Sequence, residues 1–499
     1  MGIVQRDSFR ITIIAYIGAA IGYINKIFLF TNFLEADQVG LANLMITLAL
    51  IYAQFAALGS YNITYKFFPF FDDKKNNHNG FLPGITVLAM AGFLITTILF
   101  LLFQKPFKLY YQESSPLLVE YIYYLIPLGL ATLYFHLFDS YLRSLYQNIV
   151  PSLIFEVALR IFVTLTISAY ALGFISFPAF VAIYVIANCL PAILVILYTW
   201  YIRQLFFKPY FSPLWRRLGK IILVYGAFSL FNNLSVLLLS SIDSLMVARI
   251  IDLGAAGIYT TMIFITSVLL IPYRSIMKVS TPVVASHWKA RAMDKMEDLY
   301  HRASDSNLVI GGGLFLLLWV NIDSILAFMP EEYAVGKYVF LLLGIGRLFD
   351  ITSGLNGVIM LTSKKYRYDL FFTLGLVVFA VISNYIFIPV FGMNGAAFAS
   401  MITLVLYNFL RIIFIQIHFK IQPFLLRQLW VPALILLITL VTSQVGEIII
   451  VYVDVLIRSA VVGLLFIIPV YFLKISVDTN QMIDRYVRWM KIFYKLKKK

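Results

Sequence analysis

The stretch ISNYIFIPVFGMNGAAFASMITLVLYN, residues 382 to 408, decides how this chain folds. It contains no charged residue and has a break at its centre. Pro389 ends one helix, Gly392 permits a tight turn, and the small residues Gly395, Ala396 and Ala397 let the next helix pack closely. Apolar sequence continues outward on both sides, so the stretch reads as the join between a helix at 368–391 and another at 395–418. Each exceeds the roughly 20 residues needed to cross a bilayer core. Two such helices joined by a tight turn form a transmembrane hairpin.

The same reading carries along the chain. Apolar runs bounded by charge, Pro, Gly or Asn predict helices near 11–30, 40–66, 81–104, 117–139, 149–172 and 177–203. A second set falls near 219–248, 254–282, 306–329 and 336–362, followed by the hairpin and by 424–444 and 448–474. The fold class is therefore an all-α integral membrane protein of about fourteen transmembrane helices. Backbone polar groups in lipid exclude open strands. Composition agrees: 61% of the 499 residues are hydrophobic and 13% charged, against about 45–50% and about 25% in soluble chains. Cys189, the single cysteine, sits in an apolar run, so it reads as a small structural hydrophobe. Arg6 and Arg10 precede the first apolar run, but no small-residue cleavage site follows, which predicts a retained helix.

The net charge of +15 has no soluble domain to reside on, which argues against nucleic acid. It follows topology instead. With both ends in the cytoplasm, 28 of the 39 Lys and Arg fall on the inside, four (Lys105, Lys108, Arg249 and Lys337) on the outside, and seven within helices. That bias is the positive-inside pattern.

The chain also repeats itself. FLEADQVGLANLMI from Phe33 parallels IIDLGAAGIYTTMI from Ile250, aligning Gly40 with Gly257 and Met45 with Met262. Leu142, Ser144 and Gly173 match Leu361, Ser363 and Gly392 at nearly the same offset. The offset equals six helices, an even number, so the halves are parallel repeats, and transporters place their substrate path between such halves. This predicts a six-helix lobe over 1–203, a cytoplasmic linker at 204–218, a second lobe over 219–418, two further helices within 419–474 and a basic amphipathic tail at 475–499. The tail, with Arg485, Arg488, Lys491 and Lys495, suits an anionic lipid surface.

The hairpin sequence resembles the polysaccharide-flippase branch of the multidrug/oligosaccharidyl-lipid/polysaccharide (MOP) exporter superfamily. The matching pattern is Asn384, then Ile388 and Pro389 ending a helix, then Gly395, Ala396 and Ala397 opening the next. Asp243 followed by AAGIY at 255–259, and YLRSLYQN from Tyr141, look like further family segments. The resemblance implies a Wzx-type (O-antigen) flippase. Such a protein moves undecaprenyl-diphosphate-linked oligosaccharide across the bacterial inner membrane for surface polysaccharide biosynthesis, with a polysaccharide polymerase and glycosyltransferases as partners. Related readings are a lipid II flippase and a cation-coupled multidrug exporter, whose cationic substrates a basic cavity would repel. A non-transporting scaffold for polysaccharide assembly belongs to a different class.

Ionisable residues within spans are costly and mark function. Arg274 and Lys278 lie on one face of the eighth span and fit a diphosphate, which Arg holds through bidentate hydrogen bonds. The bland reading for Lys278 is snorkelling to the interface. Arg160 and Arg347 are further substrate-binding candidates, each with a carboxylate at helical spacing, Glu156 and Asp350. Lys26 and Asp243 are equivalent under the repeat and read as a gate pair or a static ion pair. Asp350 and Glu156 join them as gate or coupling residues, with H+ or Na+ as the coupling ion. Arg411 and Arg458 look unpaired. The GxxxG of Gly18 and Gly22 reads as close packing. No catalytic constellation, nucleotide motif or metal-ligand spacing is visible, so neither an enzyme nor a cofactor is expected.

Overall fold

A computed structural model of the chain describes residues 3–206, 213–365, 367–444, 451–485 and 488. Among them every regular element is helical. Twelve helices are long and apolar enough to cross a membrane, and the bent pair Glu331–Thr352 and Asn356–Thr362 makes a thirteenth. One of the twelve, Arg367–Phe419, turns at Gly392, whose φ of 58° and ψ of −138° lie outside helical space and which lacks the Cβ that would resist them. Its two arms are separate crossings, which brings the spans to the fourteen expected.

Several helices differ from the expectation in length or continuity. The second, expected unbroken over 40–66, runs Ala36–Ala56 and then stops. Leu58 and Gly59 take left-handed backbone, with φ of 46° and 76°, and a new helix runs Ser60–Phe71. The tenth bends by 49°, at the left-handed Gly354. The ninth begins at Met293 rather than 306, because its first turns, carrying Asp294, Lys295, Glu297 and Asp298, are helical without being apolar. The first span runs Ile3–Tyr23, winds as π-helix over Ile24–Phe30 and ends at Phe33. The fifth does the same, with π-helix over Ile154–Ala158 between Ile149–Leu153 and Leu159–Ala171.

The chain divides into two compact units, Met1–Thr261 and Met262–Lys499, so the division falls within the eighth span. In the first unit, Phe68, Phe71, Phe81 and Tyr141 are fully buried. Trp215 stacks on Phe81 at 6.0 Å and packs against Phe71 at 5.0 Å. The imidazole of His78 is held 3.0 Å from Gln204. The described part of the expected linker is thus anchored on this unit, while 207–212 lie outside the described residues. A ring withdrawn from water gains about 1.5–3 kcal/mol by burial. Deeper in the membrane, lipid is as apolar as leucine, so packing and hydrogen bonds carry the association. In the second unit the core gathers Tyr300, Leu355, Met360 and Ile415, all fully buried. Of the expected tail helix, residues 486, 487 and 489–499 lie outside the described residues.

Candidate functional site

In the first unit the ionisable residues of the first and fifth spans share one junction. Glu156 and Arg160 form the i,i+4 pair that their spacing predicts, at 2.7 Å. The first span admits them because it is bare at two positions. A Cβ on Gly18 would strike the backbone carbonyl of Glu156, and one on Gly22 would strike the guanidinium of Arg160. The GxxxG is therefore the slot in which Arg160 lies. Buried Asn25 completes the junction: its Nδ2 donates to the Arg160 carbonyl at 2.9 Å, and its Oδ1 accepts from Thr164 at 2.8 Å. Both helices are π-wound beside these contacts, a geometry that re-aims side chains and concentrates at functional positions.

Lys26, half-buried on the same π turn, donates to Oδ1 of Asn43 on the second span. Asn43 in turn donates from Nδ2 to Thr260 at the start of the eighth span, at 2.9 Å. Asp243 is buried on the seventh span within the same unit. Arg160 is within electrostatic reach of Lys26. The first unit thus brings Lys26, Glu156 and Arg160 together. Asn25, Asn43, Thr164 and Thr260, which bind them to the helices, carry no sequence signal beyond being polar residues in apolar runs.

The second unit holds the other candidates. Arg274 and Lys278 are exposed on the eighth span, and among the described residues neither has a carboxylate partner. Arg347 approaches Asp350 only to 3.8 Å. The second oxygen of Asp350 accepts from Asn408 at 2.9 Å, and Asn408 accepts from Asn356 at 2.7 Å. Arg411 and Arg458, expected to be unpaired, both have partners. Arg411 is buried against Asp369 at 2.7 Å, lies 3.8 Å over the ring of Tyr407 and bonds its hydroxyl. Arg458 meets Asp454, four residues earlier, at 3.0 Å. Asp350 and Arg411 are within electrostatic reach of each other and of Tyr273, the neighbour of Arg274.

Asp350 faces the Arg347 guanidinium and the Asn408 amide, with Arg411 within electrostatic reach. No group of three His, Cys, Asp or Glu placed to hold a metal occurs among the described residues. An exposed guanidinium on a spanning helix costs about 2.5–3.5 kcal/mol on insertion scales.

No family model matches this chain, and no curated protein sequence matches it. Solved structures do. A lipid II flippase MurJ in an inward closed conformation is similar over 92% of this chain and 98% of its own, with a TM-score of 0.70 and 13% identity. An inward-facing multidrug resistance MATE transporter of the MOP superfamily covers 82% of this chain and 94% of its own at a TM-score of 0.59 and 13% identity. A MOP superfamily transporter from Pyrococcus furiosus, described as having a binding pocket of reverse polarity, covers 83% and 96% at 0.53 and 14%. The fold is that of MOP-type transporters, and the proteins that share it are flippases and transporters rather than enzymes.

Proposed function

We propose that the chain is a flippase for polyprenyl-diphosphate-linked oligosaccharide, working by alternating access in a bacterial inner membrane with both termini in the cytoplasm. The observation that carries this reading is Arg274, exposed on a spanning helix with no carboxylate partner among the described residues. A diphosphate cannot cross hydrocarbon without compensation, and a guanidinium stays charged throughout any cellular cycle. Arg274 holds the diphosphate, Lys278 adds charge from the next turn, and the lipid tail stays among the helices. Arg160 and Arg347 are secondary contacts, because a diphosphate must first displace Glu156 and Asp350. Those two carboxylates, with Lys26 and Asp243, are the residues to test for gating and for coupling to H+ or Na+. A Wzx-type O-antigen precursor is the substrate that the resemblance of the hairpin sequence favours. The near full-length likeness to a lipid II flippase supports a second reading with the same diphosphate chemistry, in which only the sugar differs.

Purified protein in vesicles tests both. A fluorescent polyprenyl-diphosphate glycan and lipid II are offered separately, and reagent access reports leaflet exchange. Arg274→Ala should insert normally and flip at least thirtyfold more slowly, since losing a charge contact of this kind costs about 2–5 kcal/mol. Arg274→Lys, which keeps charge but loses the bidentate fork, should retain part of the rate. Parental flipping by Arg274→Ala would remove the diphosphate role. Parental protein that flips neither lipid would favour a scaffold, to be sought by co-purification with polymerase and glycosyltransferases.

A further inference from the structure

Of the four cations on the membrane face opposite the termini, one is neutralised: Lys337 meets Asp323 at 2.7 Å. The other three, Lys105, Lys108 and Arg249, belong to the last turns of the third and seventh spans, within the first compact unit. Among the described residues none of the three has a carboxylate within ion-pairing distance, although Glu113 and Glu120 are exposed in the connection that follows the third span. The two span ends are clamped together. Tyr111 donates its hydroxyl to the Leu245 carbonyl at 3.3 Å, and Ser115 donates to the Ala248 carbonyl at 2.7 Å. Beside this clamp the Arg249 guanidinium lies 4.6 Å from the ring centre of Tyr110, a cation–π contact that holds it without satisfying its N–H groups. Its Nε is buried with no hydrogen-bond partner, and so is the hydroxyl of Ser114, one turn beyond Tyr110. Buried polar atoms are rarely left unmatched, yet two stand at one clamp. Lys108 is also held in place: it donates to the Tyr123 hydroxyl at 3.0 Å and lies 4.4 Å over that ring, while the hydroxyl donates to Gln104 at 2.7 Å.

We propose that this corner is a binding site for a lipid-borne diphosphate, where the translocated polyprenyl diphosphate is received on the face opposite the termini. The inference rests on the reading of the chain as a flippase, in which the substrate must leave Arg274 for the other leaflet. Arg249 and Ser114 supply the unmatched donors, and a guanidinium already held by an aromatic ring is suited to phosphate oxygens. Lys105 and Lys108, within two turns of the end of the third span, add positive charge. Three unneutralised cations match a diphosphate better than the single phosphodiester of an ordinary phospholipid, which carries less negative charge. Topology sharpens the point. Cations are normally retained on the side of the termini, so their gathering here runs against the insertion preference. An interfacial aromatic belt accounts for the exposed Tyr110 and Tyr123, but not for the cations they hold.

Binding without transport tests the site. Full-length protein carrying Arg274→Ala, in nanodiscs of neutral phosphatidylcholine, is titrated with sugar-free polyprenyl diphosphate, and native mass spectrometry counts the bound lipid. Binding should persist in this background. Adding Arg249→Ala should weaken it about tenfold or more, as losing a hydrogen bond to a charged group does. Arg249→Lys, which keeps charge without the planar fork, should fall between. Ser114→Ala and Lys108→Gln leave the clamp in place and should each weaken binding several-fold, which guards against a folding defect in the Arg249 variant. Loss of all binding once Arg274 is removed, or binding indifferent to every one of these substitutions, would overturn the proposal. Phosphatidylglycerol displacing the diphosphate at equal concentration would overturn it too, by assigning the corner to bulk anionic lipid. Flipping is measured in parallel. Protein that binds through Arg249 yet flips no glycan would keep the binding site and sink the flippase reading.

Discussion

Removing the carboxylate of Asp369 should damage the protein far more than removing the whole ion pair it belongs to. Asp369 and Arg411 sit on the two arms of the Gly392 hairpin, with side chains only 7% and 12% exposed. Two nitrogens of the guanidinium, Nη2 at 2.7 Å and Nε at 2.8 Å, converge on one carboxylate oxygen. Asp369→Ala leaves Arg411 buried with the Tyr407 hydroxyl as its bonded partner and Asp350 only at longer electrostatic reach, and stranding a buried charge costs about 3–5 kcal/mol. Since about 1.4 kcal/mol is a factor of ten, the unfolding equilibrium should move by about two to four powers of ten. Arg411→Met should cost a similar amount for the mirror-image reason. The double variant Asp369→Leu/Arg411→Met should unfold close to the parent, because apolar side chains of similar volume replace a buried pair at little net cost. Denaturant titration in mixed micelles, following the tertiary signal, measures all four proteins. A double variant no more stable than the worse single would refute the argument.

Two further outcomes follow from the geometry. Gly22→Val should displace the Arg160 guanidinium, destabilise the first unit by about 1–3 kcal/mol as overpacking does, and depress flipping; Gly219→Val, where a Cβ meets nothing within 4 Å, is the control that thermal unfolding and transport should both tolerate. Impermeant reagents should reach cysteines at Arg216 from the side of the termini and at Glu332 from the other side, and labelling of both from one side would end the fourteen-span topology.

The hairpin at 382–408, the even number of spans and the Glu156–Arg160 pair were legible because each is written in local sequence, as apolar length, Pro and Gly placement or helical spacing. Asp454 was equally local to Arg458, at the same spacing, and was passed over. The partner of Arg411 was not local at all: Asp369 lies 42 residues away on another arm, and only tertiary packing selects it. The break at Leu58 uses Gly59 in left-handed backbone, a lone glycine in an apolar run that length alone does not read as a stop, and the π-wound turns of the first and fifth spans leave the apolar pattern unbroken, so periodicity does not reveal them. Asn43 and Thr260 stood within the aligned repeat segments, yet an offset between two polar residues says that they are equivalent, not that they meet.

The bent tenth span has a consequence for how the protein is made. Both Asp350 and Asn356 depend on Asn408, which follows them in the chain by 58 and 52 residues. When the tenth span leaves the ribosome, that amide has not yet been synthesised, so Asp350 has only Arg347 of its own span beside it and the Asn356 amide lacks the acceptor it has in the finished fold. The span is therefore expected to settle fully only with the hairpin that follows, which supplies Asn408. Asn408 is in this sense an assembly residue before it is anything else: a substitution there should show first as chains stalled or misoriented after the ninth span, before any finished protein is available to assay.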